Sequence, residues 1–145
     1  VDVIVPDVNV LIHAMDVDSR HHDGAWEWWS SSLHGGEHIG LSWSVLTAYV
    51  RLTTHPRIMG TPMEVVTSTE DVRQWLALPV TMVLTPGPEH IYVMTRLLDA
   101  AGGGGDLVPD AHLAALALEN GATVYSQDAD FARFPEVRWV NPLAG

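Results

Sequence analysis

The stretch "PDAHLAALALENGATVYS", residues 109–126, constrains the fold more than any other part of the chain. Pro109 stands where a first helical turn begins, and its missing N–H is one that a helix start leaves unpaired in any case. Gly121 stands where such a helix stops. "TVYS" then reads as a strand. A helix running directly into a strand is half of a βαβ unit, and a chain built of such units folds around a parallel sheet.

The rest of the chain repeats the alternation. "VDVIV", a β-branched run ended by Pro6, predicts a buried parallel strand, and "VNVLIHAM" after Asp7 predicts a helix. "SRHHDGAWEWWSSSLHGG" predicts a second helix, with Ser19 as its N-cap and Gly35–Gly36 as its stop. "HIGL" is a short strand. "SVLTAYVRLTTHP" is a helix that ends before Pro56 and carries Val45, Tyr49 and Leu52 on one face. "STEDVRQWLAL" opens on a capping signal, Ser68 or Thr69 followed by acids, and runs to Pro79. "TMVLTP" is a strand, Pro88 starts the helix "EHIYVMTRLLDAA", glycines 102–105 form a surface loop, and "VRWV" is a last, edge strand. The expected architecture is α/β: a single domain over residues 1–145, with a mostly parallel central sheet flanked by helices.

Composition narrows the chemistry. Of 145 residues, 47% are hydrophobic, enough for a real core; a domain of this length hides roughly 68–70% of the surface of its unfolded chain. The 18 acids outnumber 7 basic residues, all of them arginine, and leave a net charge of −11. Such a balance argues against binding nucleic acid through a broad basic face. The absence of cysteine removes disulfides, thiolate catalysis and thiolate-held zinc. The first residues are too few and too acidic for a membrane span and lack the pattern of a signal peptide. The expectation is a soluble, cytoplasmic protein with no membrane partner.

In an open parallel sheet, sites form beyond the C-terminal ends of the strands. Asp7 follows "VIVP", and Asp128 and Asp130 follow "TVYS". Asp110 lies in the first turn of the helix that starts at Pro109, where the helix dipole favours an anion. Each acid alone reads as an N-cap or an Asx turn. Gathered at one sheet edge they repel each other, and a hard divalent cation with oxygen ligands, Mg²⁺ or Mn²⁺, is the natural way to hold them.

The blocks "VPDVNVLIHA", "YVRLTTHPRI" and "DAHLAALALENGATVYSQDADFARF" resemble those of PIN-domain ribonucleases, in particular the VapC-type toxins of bacterial toxin–antitoxin pairs. The resemblance covers nearly the whole chain. It implies a compact α/β nuclease in which acids hold Mg²⁺ or Mn²⁺ and RNA is cleaved, in a protein that is commonly a homodimer silenced by a cognate antitoxin. By position it implies Asp7, Asp110 and Asp128 as catalytic metal ligands, and Asp130 as the weaker member, either an additional ligand or an acid that assists from behind the ligands. Asn9 matches a residue supporting the first acid, and Ser126 lies beside the cluster as a further supporting residue. One departure stands out. The family usually places a glutamate in the helix after the second strand, and "SWSVLTAYVRL" has no acid. Thr47 or a neighbour occupies that place, and Thr47, Asp106 or a water are candidates to compensate.

Arg51, Arg57 and Arg133 are candidate contacts to RNA phosphates; the competing reading puts Arg51 on a solvated helix face and pairs Arg133 with Asp130. The histidines show no zinc spacing. His112 reads as packing or surface, His13 and His90 as isolated, and none is assigned to a metal. Trp26 and Trp29 share a helix face at i, i+3 spacing, which with Trp28 predicts core packing; a partner contact or a base-stacking platform is the alternative. Two functions stay open: a metal-dependent endoribonuclease, or a catalytically degenerate module that binds RNA or a protein without cutting. A phosphatase or receiver-like domain would want a lysine after a late strand, and the chain has none.

Overall fold

The computed structural model describes residues 2–144. Val1 of the expected first strand and Gly145 at the end of the expected domain lie outside the described residues. Strands β1 (Val3–Pro6), β2 (His38–Leu41), β3 (Thr81–Val83), β4 (Thr123–Tyr125) and β5 (Trp139–Val140) form one sheet in the order β3-β2-β1-β4-β5. Every pairing is parallel. The connections contain α1 (Val8–Met15), α2 (His22–Leu33), α3 (Trp43–Thr53), α4 (Val65–Leu76), α5 (His90–Ala101) and α6 (Val108–Glu119). Right-handed crossovers put the helices preceding β2 and β3 on one face of the sheet and α5–α6 on the other.

The strand order reverses between β1 and β4. From β1 the chain winds outward through β2 and β3, then crosses back to lay β4 on the other side of β1. Loops leaving the two central strands therefore diverge and open a crevice at their C-terminal ends. The α6 helix lies against this crossing and is buried nearly all round through Ala111, Leu113, Ala114, Ala115, Leu116 and Ala117. Alanine on so many faces lets its backbone approach the sheet closely.

Three local expectations change. Ser19 does not cap α2: that helix starts at His22, and Ser19 Oγ instead takes the His21 N–H in a tight turn. The cap expected at Ser68 or Thr69 gives way to a helix that begins a full turn earlier, at Val65. Ser68 is buried inside it, 2.7 Å from Thr53 Oγ1, so the hydroxyl joins α4 to α3 and does not end a helix. The glycine run is more ordered than a plain loop. Gly102 closes α5 in the left-handed conformation that only glycine adopts without strain (φ 72°), and Gly105–Leu107 forms a 3-10 turn leading into α6. The tryptophans also divide. Trp29 is fully buried edge-on to Trp75, Trp28 stacks on Tyr125, and Trp26 points to solvent at 47% exposure. The shared Trp26–Trp29 face does not form.

Candidate active site

Asp7 is the first residue beyond β1. Its N–H continues the β1–β4 ladder to Tyr125 O (2.9 Å), and its Oδ1 accepts from Val8 N (2.8 Å), which starts α1. Its Oδ2 accepts from Ser126 Oγ (2.7 Å) and, more weakly, from Asn9 Nδ2 (3.4 Å). Ser126 is fully buried beyond β4 and also receives the Asp128 N–H (3.0 Å) and Asn9 Nδ2 (3.1 Å). Asn9 Oδ1 in turn holds Gln127 N (3.1 Å). Asp7, Asn9 and Ser126 thus clasp the loop ends of the two central strands together. Burial pushes the Asp7 carboxyl up, the Ser126 and Val8 hydrogen bonds pull it down, and the charge of Asp128 pushes it up.

Asp110 stands opposite, as the third residue of α6. Among the described residues its carboxylate accepts no hydrogen bond. Burial and then the charges of Asp128, Asp7 and Asp130 push it from the ordinary 3.8 up to about 7. Asp128 caps the 3-10 turn Ala129–Arg133 by accepting from Asp130 N (2.9 Å). One carboxylate oxygen each from Asp110, Asp128 and Asp130 lie within 4.8 Å of one another. Asp7 stands outside this convergence, although it shares the pocket with Asp110 and Asp128. Asp130 is thus drawn further into the cluster than the sequence suggested.

A pocket of about 340 Å³ opens over Asp7, Asp110 and Asp128. Its far wall is the face of α3 made by Ser44, Ala48, Arg51 and Leu52. Ala48, and not Thr47, faces the acids at the turn where a glutamate was sought. Thr47 is turned away, bonded to Trp43 O (2.7 Å), and lines an apolar groove between α3 and α4. Asp106 is exposed and takes no part in the pocket wall.

Of the three candidate arginines, Arg51 reaches the pocket. Arg57 is exposed in the turn after α3. Arg133 makes no ion pair with Asp130; it donates to Ala101 O (2.8 Å) at the end of α5. The histidines are less isolated than their spacing implied. His13 bonds Ser19 Oγ (2.7 Å) and Gln127 Oε1 (3.0 Å), steadying the loop that carries Asp128. His112 lines the acid pocket, and its Nδ1 lies 2.8 Å from His90 Nε2. Burial and the neighbouring His90 push His112 below the usual histidine range. The i, i+7 spacing of His112 and Glu119 on α6 was the available signal for this group, since two helical turns return to one face.

The family model described as PIN domain matches residues 4–137. Ribonuclease VapC37 of Mycobacterium tuberculosis is 39% identical over 140 residues, covering 97% of this chain and 97% of the relative. Ribonuclease VapC33 of the same organism is 36% identical over 141 residues, covering 97% and 99%. Among solved structures, VapBC2 from Rickettsia felis bound to a promoter DNA fragment aligns with a TM-score of 0.69 at 15% identity, over 96% of this chain and 98% of the other. Mycobacterium tuberculosis VapC20, a Sarcin-Ricin loop cleaving toxin, aligns with a TM-score of 0.66 at 19% identity, over 93% and 98%. At such identities the structural likeness speaks for the fold. With its family model matched from the first strand to the last loop, and with curated relatives alike over nearly their whole length, this chain belongs to the PIN domain family.

Proposed function

We propose that this protein is a metal-dependent endoribonuclease, the toxin of a toxin–antitoxin pair, in which Asp7, Asp110, Asp128 and Asp130 hold Mg²⁺, with Mn²⁺ able to replace it. One observation carries the reading. Three carboxylates converge within 4.8 Å where the strand order reverses, and one of them, Asp110, has no hydrogen-bond donor among the described residues to offset its charge. The donor set fits a hard cation. It is all oxygen, the donor type such ions prefer, and one oxygen from each of three carboxylates lies within 4.8 Å of the others. When bound, the cation would neutralise the scissile phosphate and make a water nucleophilic at neutral pH.

The chain's own residues supply orientation. Ser126 and Asn9 hold Asp7 in one rotamer, and Asp128 is tied to the same serine through its backbone N–H. Asp110 brings a carboxylate with no competing hydrogen bond. Arg51, on the opposite wall, is placed to meet a phosphate at the pocket rim. Arg57 and Arg133 lie away from the pocket lining and are weaker candidates for such a role. The named activity of the VapC relatives and the VapBC assemblies among the similar structures favour RNA as substrate and a cognate antitoxin as partner. A homodimer, the assembly implied by the family resemblance of its sequence blocks, is part of the same reading. The described helices include none long and apolar enough to cross a membrane.

The degenerate-module reading has one observation on its side: Ala48 leaves the α3 wall without an acid. Cleavage assays separate the two. A randomised RNA pool incubated with Mg²⁺ should be cut by the wild type, spared after chelation, and spared by Asp7→Asn and Asp110→Asn. An intact pool with the wild type would leave only the binding-module reading, and continued cutting by both variants would overturn the assignment of cleavage to these carboxylates.

A further inference from the structure

A second polar group reaches the same pocket from behind and plays no part in holding a cation. Glu119, the last residue of α6, accepts from Gly87 N (3.0 Å) and lies 2.5 Å from His90 Nδ1. His90 Nε2 lies 2.8 Å from His112 Nδ1, with the two rings edge-on at 4.9 Å. The His90 and Glu119 side chains are only 11% and 18% exposed. Tying α5 to α6 does not by itself call for this arrangement, because apolar residues of similar volume join two helices at least as well.

Glu119 fixes the sense of the first hydrogen bond. The Glu119 carboxylate only accepts, so His90 Nδ1 must donate to it. One hydrogen then lies between His90 Nε2 and His112 Nδ1. Every ring nitrogen of the pair is thereby used except His112 Nε2, which has no partner among the described residues, on a residue that lines the acid pocket. An RNA backbone entering that pocket brings phosphate oxygens, which need donors. Arg51 offers them from the α3 wall, and the α6 wall offers no lysine or arginine.

Resting on the nuclease reading above, we propose that Glu119, His90 and His112 form a positioning chain that holds His112 Nε2–H against a phosphate oxygen of the bound RNA. His112 is then held through Nδ1 by His90 Nε2, and His90 through Nδ1 by Glu119. His112 is the residue that touches substrate. His90 and Glu119 act through it.

The test uses the full chain and an RNA oligonucleotide carrying a site that the wild type cuts, identified by sequencing cleaved ends from a randomised pool. His112→Ala should lower kcat/KM on the order of 100-fold, with Mn²⁺ affinity unchanged and the protein still fully folded at the assay temperature. His112→Gln, which keeps an N–H at similar reach, should recover about tenfold of that loss. Glu119→Gln should cost about tenfold alone and nothing further in the His112→Ala background, since it acts through the missing ring. The His112→Ala loss should be the same on an oligonucleotide with one 2′-deoxyribose at the cleaved position. Wild-type rates in His112→Ala, or additive losses in the double variant, would overturn the chain. A loss that disappears on the deoxy substrate would overturn the phosphate as partner and point to the 2′-hydroxyl. Asp7→Asn runs beside them: if it cuts as well as the wild type, the nuclease reading itself falls.

Discussion

Asp7 and Asp110 face each other across one pocket and are held in opposite ways. Asp7 is clasped: both oxygens accept hydrogen bonds, from Val8 N, Ser126 Oγ and Asn9 Nδ2. Asp110 is bare: among the described residues no donor meets it, and its neighbours' charges help burial push it up to about 7. The clasped acid serves the fold and the site together, because its hydrogen bonds join the ends of β1 and β4. The bare acid serves the fold poorly. Its ionised form is repelled by three other carboxylates, and only a cation relieves that. The pair shows where the molecule is already organised and where it waits for a ligand.

Substitutions can break this contrast. The largest effect is on cleavage: Asp7→Asn and Asp110→Asn should each lower the rate on the order of 10³-fold, read as initial velocity on a cleaved RNA. The two should then part company in stability. An asparagine at position 7 turns an N–H toward a donor and should cost about 1–3 kcal/mol in urea unfolding. Asp110→Asn removes repulsion and should stabilise the metal-free protein near neutral pH. Equal signs for the two would break the comparison. Ser126→Ala removes the hydroxyl shared by Asp7, Asn9 and the Asp128 N–H, and should destabilise by about 1–3 kcal/mol.

The pH dependence follows from the same asymmetry. The folded-state value of Asp110 is raised from 3.8 to about 7, so across that window the native state binds more protons than the unfolded one. Its contribution to stability is therefore greatest at low pH and is lost as pH rises through about 7. The melting temperature of the metal-free protein should fall over this range by more than that of Asp110→Asn, and Mn²⁺ should restore it more at about pH 8 than at about pH 5. A smaller effect is expected on the α3 wall. Ala48→Glu adds a carboxylate facing the cluster and should tighten Mn²⁺ binding about tenfold, measured by calorimetry.

Much of this was legible in the chain. Strand and helix alternate with turn residues at nearly every junction, so the parallel α/β sheet and the edge position of β5 could be read directly. The acids could be found because strand ends in such a sheet have a predictable destination. What failed were readings that depend on which way a side chain turns. Ser68 matched a capping pattern, yet its hydroxyl is buried against Thr53 in the α3–α4 seam. Thr47 and Ala48 are neighbours in sequence but lie about 100° apart on the helix, and only the folded helix tells which faces the pocket. The Glu119–His90–His112 group joins two helices across 29 residues of chain; the i, i+7 spacing puts His112 and Glu119 on one face of α6 but does not point to His90.

The most direct test of the central claim is Mn²⁺ binding by calorimetry at about pH 8, comparing wild type with Asp110→Asn. Bound cation should be found in the wild type, with affinity falling at least about tenfold in the variant and weakening in the wild type as Asp110 becomes protonated at lower pH. Equal affinity in the two proteins, or no binding by the wild type, would contradict the claim that these carboxylates form a cation site.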